Sequence, residues 1–322
     1  MRKAAAHPMF ANYLAGRIAQ LGIVLLLVSV AVFSIMHALP GDPVQLMLSG
    51  AESGSVTPER QEQLREEMGL NDPLYVQYGR FLRGAVTADL GTSVRLRAPV
   101  LDLILDRLGS TLALSLGGIL FAVIIGVTTG VMAALKQGSW IDGFSRVLAY
   151  AGVSLPLFWL GLLLILVFAF WLPWFPPAGS EGLRSLVLPS LSLGLLSAGV
   201  IARLTRASLL EVLVEDYVRA AWAKGLPKRI VYLRHALRNA FLPVLTILGL
   251  QFGAMLAGAV VTETVFSRPG LGRLVVSAIL WKDYPLVQGI VLFMATAYVL
   301  VNLLVDLLAA WLDPRIRDAT PA

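Results

Sequence analysis

The sequence predicts an all-α integral membrane protein with six transmembrane helices and an external helical segment between the first two. Three observations predict it. Of the 322 residues, 57% are hydrophobic and 14% charged, whereas a soluble domain carries nearer a quarter charged. Six charge-free runs approach the roughly 20 apolar residues that a helix needs to cross a bilayer. The Lys and Arg residues are divided unevenly between the segments joining those runs, as expected when one side of the bilayer is cytoplasmic.

Composition also excludes several classes. The net charge of +6 invites a nucleic-acid reading, but the cations sit beside apolar spans, so a lipid bilayer is the expected partner and nucleic acid is not. There is no cysteine, hence no disulfide, thiolate nucleophile or thiolate metal site. His7, His37 and His235 are far apart and share no ligand-like spacing, so no metal site is expected. The apolar run after Arg17 is too long for a signal-peptide core, and Met36 and Ala38 do not make a small-x-small cleavage site.

In chain order, residues 1–17 form a cytoplasmic N-terminus. Span one is 18–39 and ends at Pro40. The external segment is 40–108, and spans two to six lie within 109–313. Span two is Gly109 to Leu135. Span three lies within Val147 to Ser180 and stops near Trp171, because Pro173, Pro176 and Pro177 break a helix. Span four, the shortest, is Leu186 to Ala202 and opens near Pro189. Span five is Phe241 to Thr262 and span six Pro285 to Val305, followed by a tail at 314–322. Trp171, Trp174 and Trp311 stand at run ends as interfacial anchors. With the N-terminus inside, the inner segments hold 15 Lys and Arg and the short outer loops hold 4. Both termini and the stretch 203–241 are therefore expected in the cytoplasm. The seven arginines of the long external segment weigh little, since long segments obey the rule poorly.

That external segment carries ten acidic residues against seven arginines. Thr57 and Pro58 open a helix running to Met68 and stopped by Gly69. Asp72-Pro73 opens a second, which Gly84 ends. A third begins at Pro99 and leads into span two. The segment reads as a lid or docking surface for something delivered from outside, or as a small cap packed on the spans.

The most cationic stretch is Asp216 to Pro243. Two short helices meet at a break where Gly225 takes a left-handed backbone and Pro227 suits the first turn of the second arm. Ile230, Leu233, Leu237 and Phe241 fall at helical spacing as one apolar stripe, with Lys228, Arg229, Arg234 and Arg238 around it. Such an elbow suits docking to a soluble partner; a basic loop that only sets topology is the plainer reading.

Polar groups within spans are costly and point to function. Asn302 and Asp306 are four apart on span six and share a face. Glu263 ends span five, ahead of a Pro-Gly turn that could leave it in water. Gln251, Ser154 and Pro156 complete the candidates for a translocation path: Ser154, Pro156, Gln251, Glu263, Asn302 and Asp306. No Gly-Lys dipeptide occurs, so no Walker-type phosphate loop exists, and neither His-Glu-x-x-His nor Gly-x-Ser-x-Gly is present. The chain is expected to be no enzyme and to bind no cofactor; uphill transport would draw on a separate chain or a gradient.

The central stretch also carries a resemblance. Ala220, Ala221, Gly225 and, further on, Leu237 match the cytoplasmic loop of permease subunits of binding-protein-dependent ABC importers, whereas Arg219, His235 and Arg238 depart from the general pattern. Lys224-Gly225-Leu226 and His235 to Ala240 instead resemble the dipeptide, oligopeptide, glutathione and nickel branch. Leu39 to Pro43, Met68 to Leu74, Asp89 to Ser93, Glu211 to Tyr217, Gly249 to Gly253 and Val265 to Gly272 extend the resemblance over almost the whole chain. It implies a type I ABC importer permease. A second homologous permease (a heterodimer), two ATP-binding subunits holding ATP and Mg, an external solute-binding protein and a peptide substrate are the implied partners. The residues implied in ATPase coupling are Arg219, Ala220, Ala221, Lys224, Gly225, Leu226, Pro227, His235 and Leu237. Nickel and glutathione remain open as substrates. An ion-driven secondary carrier and a pore-less membrane anchor are the rivals from other classes, and the chain of membrane carboxylates expected of the former is missing.

Overall fold

Long apolar runs satisfy their backbone groups within helices. The computed structural model describes residues 6–38, 44, 58–67 and 69–312, in which eleven helices form and no strand. They are α1 (Ala6–Ala38), α2 (Pro58–Glu67), α3 (Leu74–Thr87), α4 (Val100–Leu135), α5 (Trp140–Ser154), α6 (Leu157–Trp171), α7 (Arg184–Leu213), α8 (Asp216–Ala223), α9 (Lys228–Val265), α10 (Leu271–Leu280) and α11 (Tyr284–Leu312). The expectations for Leu39 to Pro43, the Thr57 cap, Met68 and the basic tail at Arg315 and Arg317 lie outside the described residues.

Among the described residues, five helices are long and apolar enough to cross a membrane: Gly16–Ala38, Val100–Leu135, Arg184–Leu213, Lys228–Val265 and Tyr284–Val305. The third expected run differs. It is two helices, α5 and α6, interrupted at Leu155-Pro156, because a residue before proline is driven out of the helical region. Pro156 itself is extended, with ψ 133°. As expected, α6 stops at Trp171, its last six residues in π geometry. Helix α7 begins ahead of Pro189 and continues past Ala202 to Leu213. Helix α9 joins span five to the second arm of the elbow without a break.

The segment between the first two spans holds the expected helices with one correction. Gly84 does not end α3, which runs on to Thr87 before Ala88 takes a left-handed cap at φ 58°. The Asp89 N–H donates to the Gly84 carbonyl at 2.9 Å, and a β-carbon on Gly84 would collide with the Asp89 carbonyl oxygen. The glycine makes room for the returning chain.

The helices gather into two compact units. One is built on Ser110–Pro269 with α11 from Leu300 onward, the other on Leu14–Gly109 and Gly270–Val299. In the first, Leu114 and Ala122 of α4, Leu193 and Ile201 of α7, and Val244, Met255 and Ala259 of α9 make a continuous core. Helices α4 and α7 approach closely, since a β-carbon at Gly126 would stand 2.8 Å from the Ala198 carbonyl oxygen and one at Gly130 2.6 Å from that of Ala202. Small residues at such crossings let backbones pack where lipid offers no competing hydrophobic drive. In the second unit, Met36, Val100, Ile104, Val275, Leu286 and Ile290 form the core.

Candidate functional site

The elbow between α7 and the membrane part of α9 is built from an extended residue, a short helix, a glycine turn and a proline. Glu215 is extended, and its carbonyl accepts the N–H groups of Val218 and Arg219 at 3.0 and 3.1 Å. Helix α8 buries Val218 and Ala221 and exposes Arg219 and Ala220. Its end closes as the Gly225 N–H donates to Trp222 O at 2.9 Å and the Leu226 N–H to Ala221 O at 3.4 Å. Gly225 sits at φ +74°, the left-handed turn expected of it, with nothing within 4 Å of where a β-carbon would be. Pro227, at φ −64°, starts the second arm. Its carbonyl accepts Ile230 N–H and Val231 N–H.

The second arm departs from the expected stripe. Val231–Ala236 is a π turn, which inserts an extra residue and rotates the face by about 100°. The buried residues are Val231, Ala236, Ala240 and Val244, spaced five, then four, then four. Ile230 and Leu233, expected to pack, are 40% and 51% exposed. Leu237 and Phe241 are half-buried. The inner faces of both arms join Ala134 of α4 and Leu209 of α7 in one cluster. Trp222 meets Tyr232 edge-on at 5.5 Å, and Asn239 donates to the Tyr217 hydroxyl at 2.8 Å. The elbow is thus fixed to the helix ends behind it. It presents Tyr217, Ile230 and Leu233 outward among Arg219, Lys224, Lys228, Arg229, Arg234 and Arg238. Of the remaining coupling candidates, Pro227 is exposed, and Leu226 and His235 are half-buried.

Sequence reasoning missed a latch behind this elbow. Arg206 of α7 donates through Nε to Asp142 Oδ1 at 2.7 Å and through Nη2 to Oδ2 at 3.1 Å. The Gly138 N–H donates to Oδ2 at 3.1 Å. Asp142 is buried at the start of α5, with Arg146 within 4.0 Å. The Arg206 hydrogen bonds, then that from Gly138, hold the carboxyl below its ordinary value, against the opposing effect of burial. The available signal was Asp142 itself, the lone acid in an inner segment counted for its cations.

The translocation candidates separate. Ser154 and Pro156 are exposed at the α5–α6 break, and Gln251 is half-buried on α9. Glu263 is fully buried and accepts a hydrogen bond from Thr111 at 2.6 Å. It therefore does not stand in water, as the turn that follows it had allowed. Asn302 is half-buried, and its Oδ1 has no hydrogen-bond partner among the described residues. The side chain of Asp306 lies outside the described residues. Among the residues described, no cluster of three or more His, Cys, Asp or Glu could hold a metal ion.

Residues 126–318 match the family described as the binding-protein-dependent transport system inner membrane component, and residues 9–115 match the N-terminal part of such membrane components. The chain is 41% identical to the dipeptide transport system permease protein DppB of Alkalihalophilus pseudofirmus, over 91% of this chain and 96% of that protein. It is 44% identical to the glutathione transport system permease protein GsiC of Escherichia coli K12, over 95% and 99%. Among solved structures, its fold is similar to a chain of the MetNI methionine ABC transporter in inward-facing conformation. There the TM-score is 0.55 and the identity 16%, over 66% of this chain and 96% of that one.

Proposed function

The chain belongs to the inner-membrane components of binding-protein-dependent transport systems, and from that premise we propose that it forms half of the pore of an ABC importer for short peptides. It is a multi-pass permease subunit. A second, similar permease completes the pore, two ATP-binding subunits holding ATP and Mg engage the cytoplasmic side, and an external protein delivers the solute. Both termini lie in the cytoplasm, following the Lys and Arg asymmetry. This chain catalyses no reaction; it translocates.

The observation that carries this reading is the elbow. Its inner faces are packed onto the ends of α4 and α7, and its exposed residues include Tyr217, Ile230 and Leu233 together with six Lys and Arg. Exposed aromatic and apolar side chains accompanied by arginines are the residue types that protein-binding surfaces favour. A body so anchored can pass a displacement to the helices behind it. ATP-driven closure of the partners then shifts the permease pair between conformations that the partners bind differently. Peptide is favoured as solute because relatives over nearly the full length are named for dipeptide and glutathione, itself a short peptide. Nickel is the second reading within the family.

Reconstitution of this chain with its similar permease, the ATP-binding subunits and the solute-binding protein tests the proposal. Uptake of labelled dipeptide should require ATP and the binding protein and survive an ionophore that collapses ion gradients. Uptake by this chain alone, abolished by the ionophore, would establish a secondary carrier instead.

A further inference from the structure

A cavity of about 930 Å³ opens in the unit that contains the external segment, within the range of small-molecule sites. It lies between the end of α1, helix α3, the corner at 89–97 and the start of α11. Its apolar wall includes Phe33, Phe81 and Tyr284, with the Phe33 and Phe81 rings stacked at 6.3 Å. Much of the polar wall is already satisfied. His37 Nδ1 and Nε2 face Phe33 O at 2.8 Å and Gln77 Oε1 at 3.1 Å, while the Gln77 amide donates to Leu70 O and Asp72 O. Arg80 is held by Asp72.

Three charges on the wall are not so used. Arg83 and Arg97 are exposed and have no acidic partner among the described residues; Asp89 accepts only the Gly91 N–H, at 3.2 Å, and pairs with neither. This wall is cationic although the external segment as a whole is acidic. Arg97 is also held in a costly conformation, at φ +53°, by a corner fastened below it. The Ser93 hydroxyl and Arg95 N–H donate to buried Asp283 at 2.5 and 3.0 Å, and the Arg97 N–H donates to Ser93 O. Strain of this kind persists where surrounding structure imposes it and often marks a ligand contact.

We propose that this cavity is an accessory binding site for a short zwitterionic peptide on the external face of the permease. Arg83 and Arg97 take the terminal carboxylate, Asp89 takes the ammonium, and an apolar side chain lies against Phe33, Phe81 and Tyr284. Arginine suits the carboxylate because its planar fork matches carboxylate geometry. The inference rests on the peptide reading above and on the external placement of this segment.

The test is calorimetric titration of the assembled transporter in nanodiscs, without nucleotide or solute-binding protein, using Ala-Phe and its C-terminal amide. Saturable Ala-Phe binding should weaken about tenfold in the double variant Arg83→Glu, Arg97→Glu, and about tenfold for the amide on the unmodified protein. The amide, which carries only the ammonium, should bind the double variant no more weakly than the parent. Both side chains are exposed, so the variant should assemble normally. Absence of saturable binding, or binding equal in variant and parent, overturns the site even while peptide uptake persists. Loss of solute-binding-protein affinity in the variant, with Ala-Phe binding unchanged, overturns it in favour of a protein contact. A reconstituted system that imports no peptide overturns the peptide reading itself.

Discussion

Two corners of this molecule take a left-handed backbone by opposite means. At the elbow, Gly225 stands at φ +74° with open space where a side chain would go, and no nearby polar group is needed to hold it. At the corner before α4 an arginine stands at φ +53°, and a buried carboxylate helps fix the loop beneath it through Ser93 and Arg95. The first conformation is intrinsic to the residue, because glycine enters that region without steric penalty. The second is imposed by tertiary structure, because an L-residue pays about 1–2 kcal/mol to be there. The elbow's turn needs no partner to make its backbone accessible, whereas the corner at 93–97 is held by its own backbone hydrogen bonds and by one side chain distant in sequence.

Removing that side chain should give the largest effect. Asp283 is 1% exposed, accepts from Ser93 and Arg95, and also caps α11 by accepting the Leu286 N–H at 3.3 Å. Asp283→Ala should destabilise the corner by about 3 kcal/mol, roughly a hundredfold in its opening equilibrium. Trypsin cleavage after Arg95 in the detergent-solubilised complex would read this out. Unchanged cleavage would mean the corner holds itself. Next comes Gly225→Val. No atom lies near enough to clash, so the cost is conformational, about 1–3 kcal/mol for a β-branched residue at positive φ. Membrane insertion should survive while uptake and co-purification of the ATP-binding subunits are lost. Gly225→Asn, which tolerates that region, should retain both. Smaller still is Arg97→Gly. Relief of strain is offset by the added freedom of the unfolded chain, and stability should change by less than about 0.5 kcal/mol.

The same contrast explains what the sequence could reveal. Gly225 and Pro227 announce the elbow locally, and charge-free runs announce the long helices. Gly69 and Pro73 mark the helices between the first two spans in the same way. Features closed over distance left no such sign. Ser93 and Asp283 are 190 residues apart, Asp142 and Arg206 64 apart, and Thr111 and Glu263 152 apart. Nothing in a local pattern pairs them. Gly84 misled because glycine at a helix end and glycine at a close crossing look alike in sequence. The π turn misled differently. The stripe at Ile230, Leu233 and Leu237 obeys the α period, but one inserted residue turned Ile230 and Leu233 outward, where they furnish apolar side chains of the proposed docking face.

The last expected effect is a pH dependence rather than a single energy, and it separates an imposed contact from an adjustable one. Asp142 is held below its ordinary value of 3.8 by the two Arg206 hydrogen bonds and the Gly138 N–H. A carboxyl whose folded value is depressed contributes stability in full above its unfolded value and loses it only as pH falls through the lowered one. The latch between α5 and α7 should therefore be fully formed across the physiological range. Asp142→Asn keeps the size but weakens acceptance from Arg206, so its melting temperature in the assembled complex should fall below the parent's. That gap should be constant from pH 8 to pH 5 and close only as acid protonates the parent. A gap that closes already between pH 7 and pH 5 would mean that the carboxylate is not held by Arg206, and that the contact between α5 and α7 is adjustable in the range where the transporter works.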